Sequence, residues 1–115
     1  ARVEKLSLGN PCKLCVAFNY GGRDEIVHAC NALIAQGKQS VTAEDICRSL
    51  YTADIPDPDL IVRTGGEMRL SNFLLWQAAY SEFYYSDKLW PDFTPADVDL
   101  ALENFMSRHR KYGGY

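Results

Sequence analysis

Three short runs limit most strongly what this chain can fold into: CKLCVAF at 12–18, DLIVR at 59–63 and EFYY at 82–85. Each is apolar or aromatic and too short for a helix, so each reads as a strand. CKLCVAF leads into the turn NYGG, and DLIVR follows the proline-rich loop ADIPDPD. The stretches between them have helical period. From Arg23 to Gln36, the apolar positions Ile26, Val27, Cys30, Leu33 and Ile34 fall on one face, and Gly37 is placed to stop the helix. Thr42 with Asp45 resembles a capping box opening a short helix through Leu50. SNFLLWQAAY is apolar almost all round, which predicts a helix covered on most sides. After the turn WPDFTPAD, Thr94, Pro95 and Asp97 predict the cap and first turn of a last helix. Its inward stripe is Val98, Ala101, Leu102, Phe105 and His109. Asp97, Asp99 and Glu103 come early in it, Arg108, Arg110 and Lys111 late, and Gly113 and Gly114 end it.

The order strand, helix, helix, strand, helix, strand, helix predicts an α/β fold with a partial parallel sheet flanked by helices. Three strands make a thin sheet, so further strands are expected beyond these. The 115 residues fit one domain, and 47% hydrophobic with 23% charged suits a globular one. A net charge of −3 argues against a general nucleic-acid binder. No apolar run reaches the roughly 18 residues of a membrane span. The start ARVEKLSLGN has no apolar signal core and no initiator Met, which predicts a processed or truncated end. Of the cysteines, Cys12 and Cys15 form a lone CxxC with no second pair. Their apolar setting favours a structural core role over metal or redox chemistry. Cysteines without a disulfide pattern suit a cytosolic setting.

RTGGEMRLS, residues 63–71, holds the densest chemistry. If DLIVR is a parallel strand, this segment lies at its C-terminal end, where open α/β sheets bind ligands. Gly65 and Gly66 allow close backbone approach, Arg63 and Arg69 offer planar forks for phosphate oxygens, and Ser71 and Asn72 would start a helix whose free N–H groups favour an anion. Two readings stay open: a phosphate or diphosphate pocket, or a surface turn in which an arginine pairs with Glu67 or Asp57. The Walker A spacing is absent. Glu82 is either a surface or ion-paired carboxylate or, beside a diphosphate, a magnesium ligand. NYGGR, residues 19–23, reads as a tight turn, and His28 and His109 as ordinary helix residues. No Ser–His–Asp arrangement is suggested.

NYGGRDEIV, then DPDLIVRTGGEMRLSNFLLWQAAYSEFYY, then LWPDF and RKYGG, resemble in order and spacing the C-terminal half of a cis-prenyltransferase of the undecaprenyl diphosphate synthase (isoprenyl transferase) kind. The resemblance covers nearly the whole chain. It implies the C-terminal half of that fold over residues 1–115. It also implies Z-type condensation of isopentenyl diphosphate with an allylic diphosphate such as farnesyl diphosphate, giving a polyprenyl diphosphate. Arg63, Arg69 and Ser71 would bind the isopentenyl diphosphate. Glu82 would help hold Mg²⁺, from the partner subunit or across the site. The enzyme would be a cytoplasmic homodimer, peripheral to the membrane that receives its lipid product. RKYGG resembles an Arg-x-Gly element that reaches the partner's diphosphate site. Here Lys111 precedes Tyr112 and Gly113, and Lys keeps the charge without the bidentate fork. The Asp-Gly-Asn-Gly-Arg-Trp loop, which supplies the family's metal-binding aspartate, has no counterpart here. The resemblance thus implies an enzyme in the parent protein and an inactive piece in this chain alone. Cys12 and Leu14 would face the product tunnel. The alternatives are a non-catalytic partner subunit of a heteromeric cis-prenyltransferase, or a module binding a nucleotide or phosphopeptide in the anion pocket.

Overall fold

A computed structural model describes residues 11–108. The helices form largely where their caps predict. Helix α1 spans Gly22–Ala35 and ends in a Schellman arrangement. In it Gly37 N donates to Ile34 O at 2.9 Å and Lys38 N to Leu33 O at 3.1 Å, with Gly37 at φ 82. Helix α2 spans Ala43–Ser49 and opens with the Thr42–Asp45 capping box. Helix α3 spans Pro95–Met106 and opens with the same box between Thr94 and Asp97. Strands β1, Leu60–Arg63, and β2, Glu82–Tyr85, pair in parallel as a two-stranded sheet. The register sets Leu60 opposite Glu82, Ile61 opposite Phe83, Val62 opposite Tyr84 and Arg63 opposite Tyr85. The architecture is α/β with a parallel sheet, as the alternation predicts. Among the described residues no helix is long and apolar enough to cross a membrane.

Four expectations are corrected. Residues 12–18 form no strand, and Leu14, Val16 and Phe18 are 77%, 73% and 92% exposed. A strand needs a hydrogen-bonded neighbour, and no described segment pairs with this one. Cys12 and Cys15 are exposed for the same reason, so they are not core residues.

The second correction concerns SNFLLWQAAY, which is a turn followed by a short 3₁₀ helix over Gln77–Tyr80. Ser71, Asn72 and Leu74 have φ of 50, 68 and 46, incompatible with an α-helix. Five hydrogen bonds from three residues pin this segment. Asn72 O accepts from Gly22 N at 2.7 Å and Asn72 Oδ1 from Arg23 N at 2.9 Å, so Asn72 caps α1 from a distance. Trp76 Nε1 donates to Cys47 Sγ at 3.2 Å, and Gln77 Nε2 to Glu25 Oε1 and Thr52 Oγ1, both at 2.9 Å. The turn sits so close to α1 that a Cβ on Gly22 would lie 2.8 Å from Leu75 Cγ.

Third, the buried face of α1 is Gly22, Glu25, Ala29 and Leu33, one step round from the apolar stripe. Val27 and Ile34 remain 57% and 67% exposed. Glu25 is drawn inward because it finds donors there: the Tyr20 hydroxyl, Gln77 Nε2 and Tyr51 N. Ala29 and Leu33 pack with Ile46 and Leu50 of the α2 region, flanked by Cys30 and Trp76. Fourth, α3 buries Asp97 and Ala101 and leaves Val98 and Leu102 largely exposed. It ends at Met106 with no basic residue in its last turn. Arg108 instead reaches β2, where its Nη1 donates to Phe83 O at 2.7 Å. His109, Arg110 and Lys111 to Gly114 lie outside the described residues.

Candidate active site

Strand β1 delivers Arg63 to the C-terminal end of the sheet, and the chain then turns back over it. Gly65 and Gly66 take φ of 88 and 76, which permits the turn. Their N–H groups are not available to a ligand. Gly65 N donates to Lys88 O at 2.8 Å and Gly66 N to Ser86 O at 2.9 Å. The loop after β1 is thereby stitched to the loop after β2. Without a helix at Ser71, no helical N–H groups point at the site either. Arg63, Arg69 and Ser71 are left as the side chains there suited to an anion.

The structure brings those side chains together. Arg63, Arg69 and Ser71 line one open cleft of about 310 Å³ with Ile61, Val62, Leu70, Phe73 and Tyr85. Arg63 Nη1 donates to Arg69 O and, at 3.1 Å, to Ser71 Oγ. Both acceptors are neutral, and among the described residues Arg63 has no carboxylate partner. Arg69 is ion-paired with Glu67, so the surface-turn reading also holds for that one residue. The pair is well exposed, and such pairs contribute about 1 kcal/mol or less, so an incoming anion displaces Glu67 cheaply.

A second and larger cavity, of about 590 Å³, is lined mainly by apolar and aromatic residues, including Val16, Phe18, Tyr20, Ile55 and Leu74. Phe73 lines both cavities, so a cationic cleft and an apolar chamber share a wall. Gln77 also lines the larger one, and its Oε1 is buried with no hydrogen-bond partner among the described residues. Burial, followed by the bond to Glu25, pushes the Tyr20 phenol above its ordinary pKa.

A family profile described as "Putative undecaprenyl diphosphate synthase" matches residues 1–113. The chain belongs to this family of prenyltransferases. Similar relatives include the isoprenyl transferase of Fusobacterium nucleatum, 56% identical over 111 residues, 96% of this chain and 48% of the relative. That of Rickettsia typhi is 50% identical over 111 residues, 96% of this chain and 49% of the relative. Two solved structures are similar in fold. One is a lavandulyl diphosphate synthase from Lavandula x intermedia in complex with dimethylallyl diphosphate, with a TM-score of 0.85 and 37% identity over 98% of this chain and 52% of that one. The other is a probable undecaprenyl diphosphate synthase from Campylobacter jejuni, with a TM-score of 0.79 and 34% identity over 98% of this chain and 54% of that one. The chain spans about half the length of the relatives it matches.

Other prenyltransferase site candidates lie elsewhere. Glu82 opens β2 opposite Leu60, three register steps from the level of Arg63. At about 3.3 Å per residue that is about 10 Å along the sheet, at its other end. Its carboxylate lies 3.9 Å from Arg108 Nη1. Among the described residues no group of three or more His, Cys, Asp or Glu side chains could hold a metal ion. Glu82 is thus an ion-paired carboxylate and, among the described residues, does not form a metal site by itself. Cys12 and Leu14 do not line the apolar cavity, whereas Cys15 to Phe18 do. Lys111, Tyr112 and Gly113 lie outside the described residues. Tyr85 and Phe73 join the site without any motif announcing them. Tyr85 arrives through strand register, which the sequence does not encode locally, and Phe73 through the left-handed turn.

Proposed function

We propose that this chain supplies the isopentenyl diphosphate site of a prenyl diphosphate synthase that makes a polyprenyl diphosphate. The observation that carries this reading is the wall shared by a cationic cleft and an apolar cavity, which suits an amphiphile with a diphosphate head and an isoprenoid tail. The family match supports it, as does the structural relative solved with dimethylallyl diphosphate, a prenyl diphosphate. Arg63, Arg69 and Ser71 bind the diphosphate of the homoallylic substrate. A dianion resists leaving water, and two guanidinium forks compensate that cost. Catalysis is then positioning: the double bond of isopentenyl diphosphate is held to attack the allylic carbon as diphosphate leaves, and a proton is lost from the adduct. Mg²⁺ neutralises diphosphate charge when bound.

Glu82 is too far along the sheet to serve the cleft of its own chain, which favours a homodimer in which Glu82 serves the partner's site. The remaining metal ligands and the allylic diphosphate loop come from the other half of the parent protein. This chain alone is accordingly inactive. The parent acts in the cytoplasm and passes its lipid product to a membrane.

The test is a titration of the purified chain with isopentenyl diphosphate by calorimetry, beside a condensation assay with farnesyl diphosphate, labelled isopentenyl diphosphate and Mg²⁺. Binding without product is expected. Arg63→Ala should weaken binding by about 10- to 100-fold, the value of hydrogen bonds to a charged group. Elongated product from this chain alone would overturn the division of labour. Unchanged binding in Arg63→Ala would overturn the site.

A further inference from the structure

Strand register sets a second polar group beside Arg63. Arg63 and Tyr85 are opposite one another across the parallel pair, as are Ile61 and Phe83. Side chains alternate along a strand, so Ile61, Arg63, Phe83 and Tyr85 share one face of the sheet. The Phe83 and Tyr85 rings confirm this, lying stacked with centroids 6.1 Å apart and planes 7° from parallel. Directly opposite residues on one face have neighbouring side chains. Tyr85 is half-buried and lines the cleft that holds Arg63, Arg69 and Ser71. Among the described residues its hydroxyl has no hydrogen-bond partner, whereas the Tyr20 hydroxyl is bound to Glu25. A phenol is a good donor to an anionic oxygen, and its ring is held by the stack with Phe83.

The geometry points to Tyr85 as a further substrate-binding residue: its phenol donates a hydrogen bond to the diphosphate held by Arg63 and Ser71. The inference rests on the diphosphate reading of that cleft and extends it to a residue on the other strand. Arg63 supplies charge that any phosphate would feel. Tyr85 adds a directional contact from the β2 side of the cleft. Together they would select a diphosphate, which reaches both strands, over orthophosphate, which is shorter.

The test compares isopentenyl diphosphate, inorganic diphosphate and orthophosphate by calorimetry on the chain and on Tyr85→Phe, Tyr84→Phe and Arg63→Ala. Tyr85→Phe keeps the ring and its stack, and circular dichroism with the thermal midpoint checks that it folds as the parent does. Tyr84 lies on the opposite face and is the control. The expected result is an affinity about tenfold lower for both diphosphates in Tyr85→Phe, little change for orthophosphate, and no change in Tyr84→Phe. If Arg63→Ala weakens binding and Tyr85→Phe stays within twofold of the parent, the role of Tyr85 is overturned and the cleft stands. If Arg63→Ala has no effect, or the parent binds neither diphosphate, the cleft reading falls and takes this inference with it. If Tyr85→Phe weakens orthophosphate binding as much as diphosphate binding, the selectivity is refuted.

Discussion

Removing the Glu25 carboxylate should destabilise the chain markedly, because it sits at the centre of a buried polar network on α1. Glu25 is 1% exposed and accepts from the Tyr20 hydroxyl, from Tyr51 N at 2.9 Å and from Gln77 Nε2 at 2.9 Å. A buried donor left without its acceptor costs about 1–3 kcal/mol. Two of these three donors are only partly buried and regain some water, so the low end applies to them. Glu25→Ala should then cost about 3 kcal/mol or more, within the range for breaking a buried polar network. Glu25→Gln keeps the volume and one acceptor oxygen, and its new N–H group can donate to the Tyr20 oxygen, so about 1–2 kcal/mol is expected. Against a total of about 5–15 kcal/mol for a domain, the alanine variant should show a clear loss. Urea unfolding followed by circular dichroism measures this, with Tyr20 titration by ultraviolet absorbance as a second readout. Glu25→Ala should also bring the Tyr20 phenol down towards its ordinary value, because burial and Glu25 both raise it in the parent. A loss below about 1 kcal/mol in Glu25→Ala, with an unchanged denaturant slope, would refute the view that these bonds anchor the turn after Ser71 to α1.

Two further perturbations follow from the charges. Hydrogen bonding to Lys88, then to the Thr94 N–H, holds Asp97 down at about 2 against an ordinary 3.8. A depressed carboxyl stabilises the fold above its unfolded value and loses that contribution as pH falls through its folded one. Acid unfolding of the chain should therefore show a stability loss between about pH 3.8 and about pH 2 that is reduced in Asp97→Asn; equal losses would contradict it. Glu67→Gln should raise diphosphate affinity by about two- to fivefold at low salt, because it frees Arg69 from its exposed partner; calorimetry showing weaker binding would mean that Glu67 organises the cleft instead.

Local rules wrote much of the architecture. Both capping boxes, the Gly37 stop and the parallel sense of β1 and β2 rest on neighbours within a few residues or on the alternation of elements, and all formed as the sequence predicts. Arg63, Arg69 and Ser71 could be named as a group because they lie within nine residues of one another. The turn at 71–76 could not be read the same way. Its apolar pattern is helical, yet distant partners decide it: Asn72 on the end of α1, Trp76 on Cys47 and Gln77 on Glu25. Residues 12–18 have a strand's composition and no described neighbour to pair with, because a strand is a property of two segments. Propensity and spacing act along the chain, so the sequence by itself determined where α1, α2 and α3 begin, that Gly37 ends α1, and that Arg63, Arg69 and Ser71 lie close together. Which face of α1 turned inward, where Glu82 lay relative to Arg63, and that Tyr85 stood beside it were decided by tertiary structure. Each depends on long-range hydrogen bonding or strand register, which only the folded chain specifies.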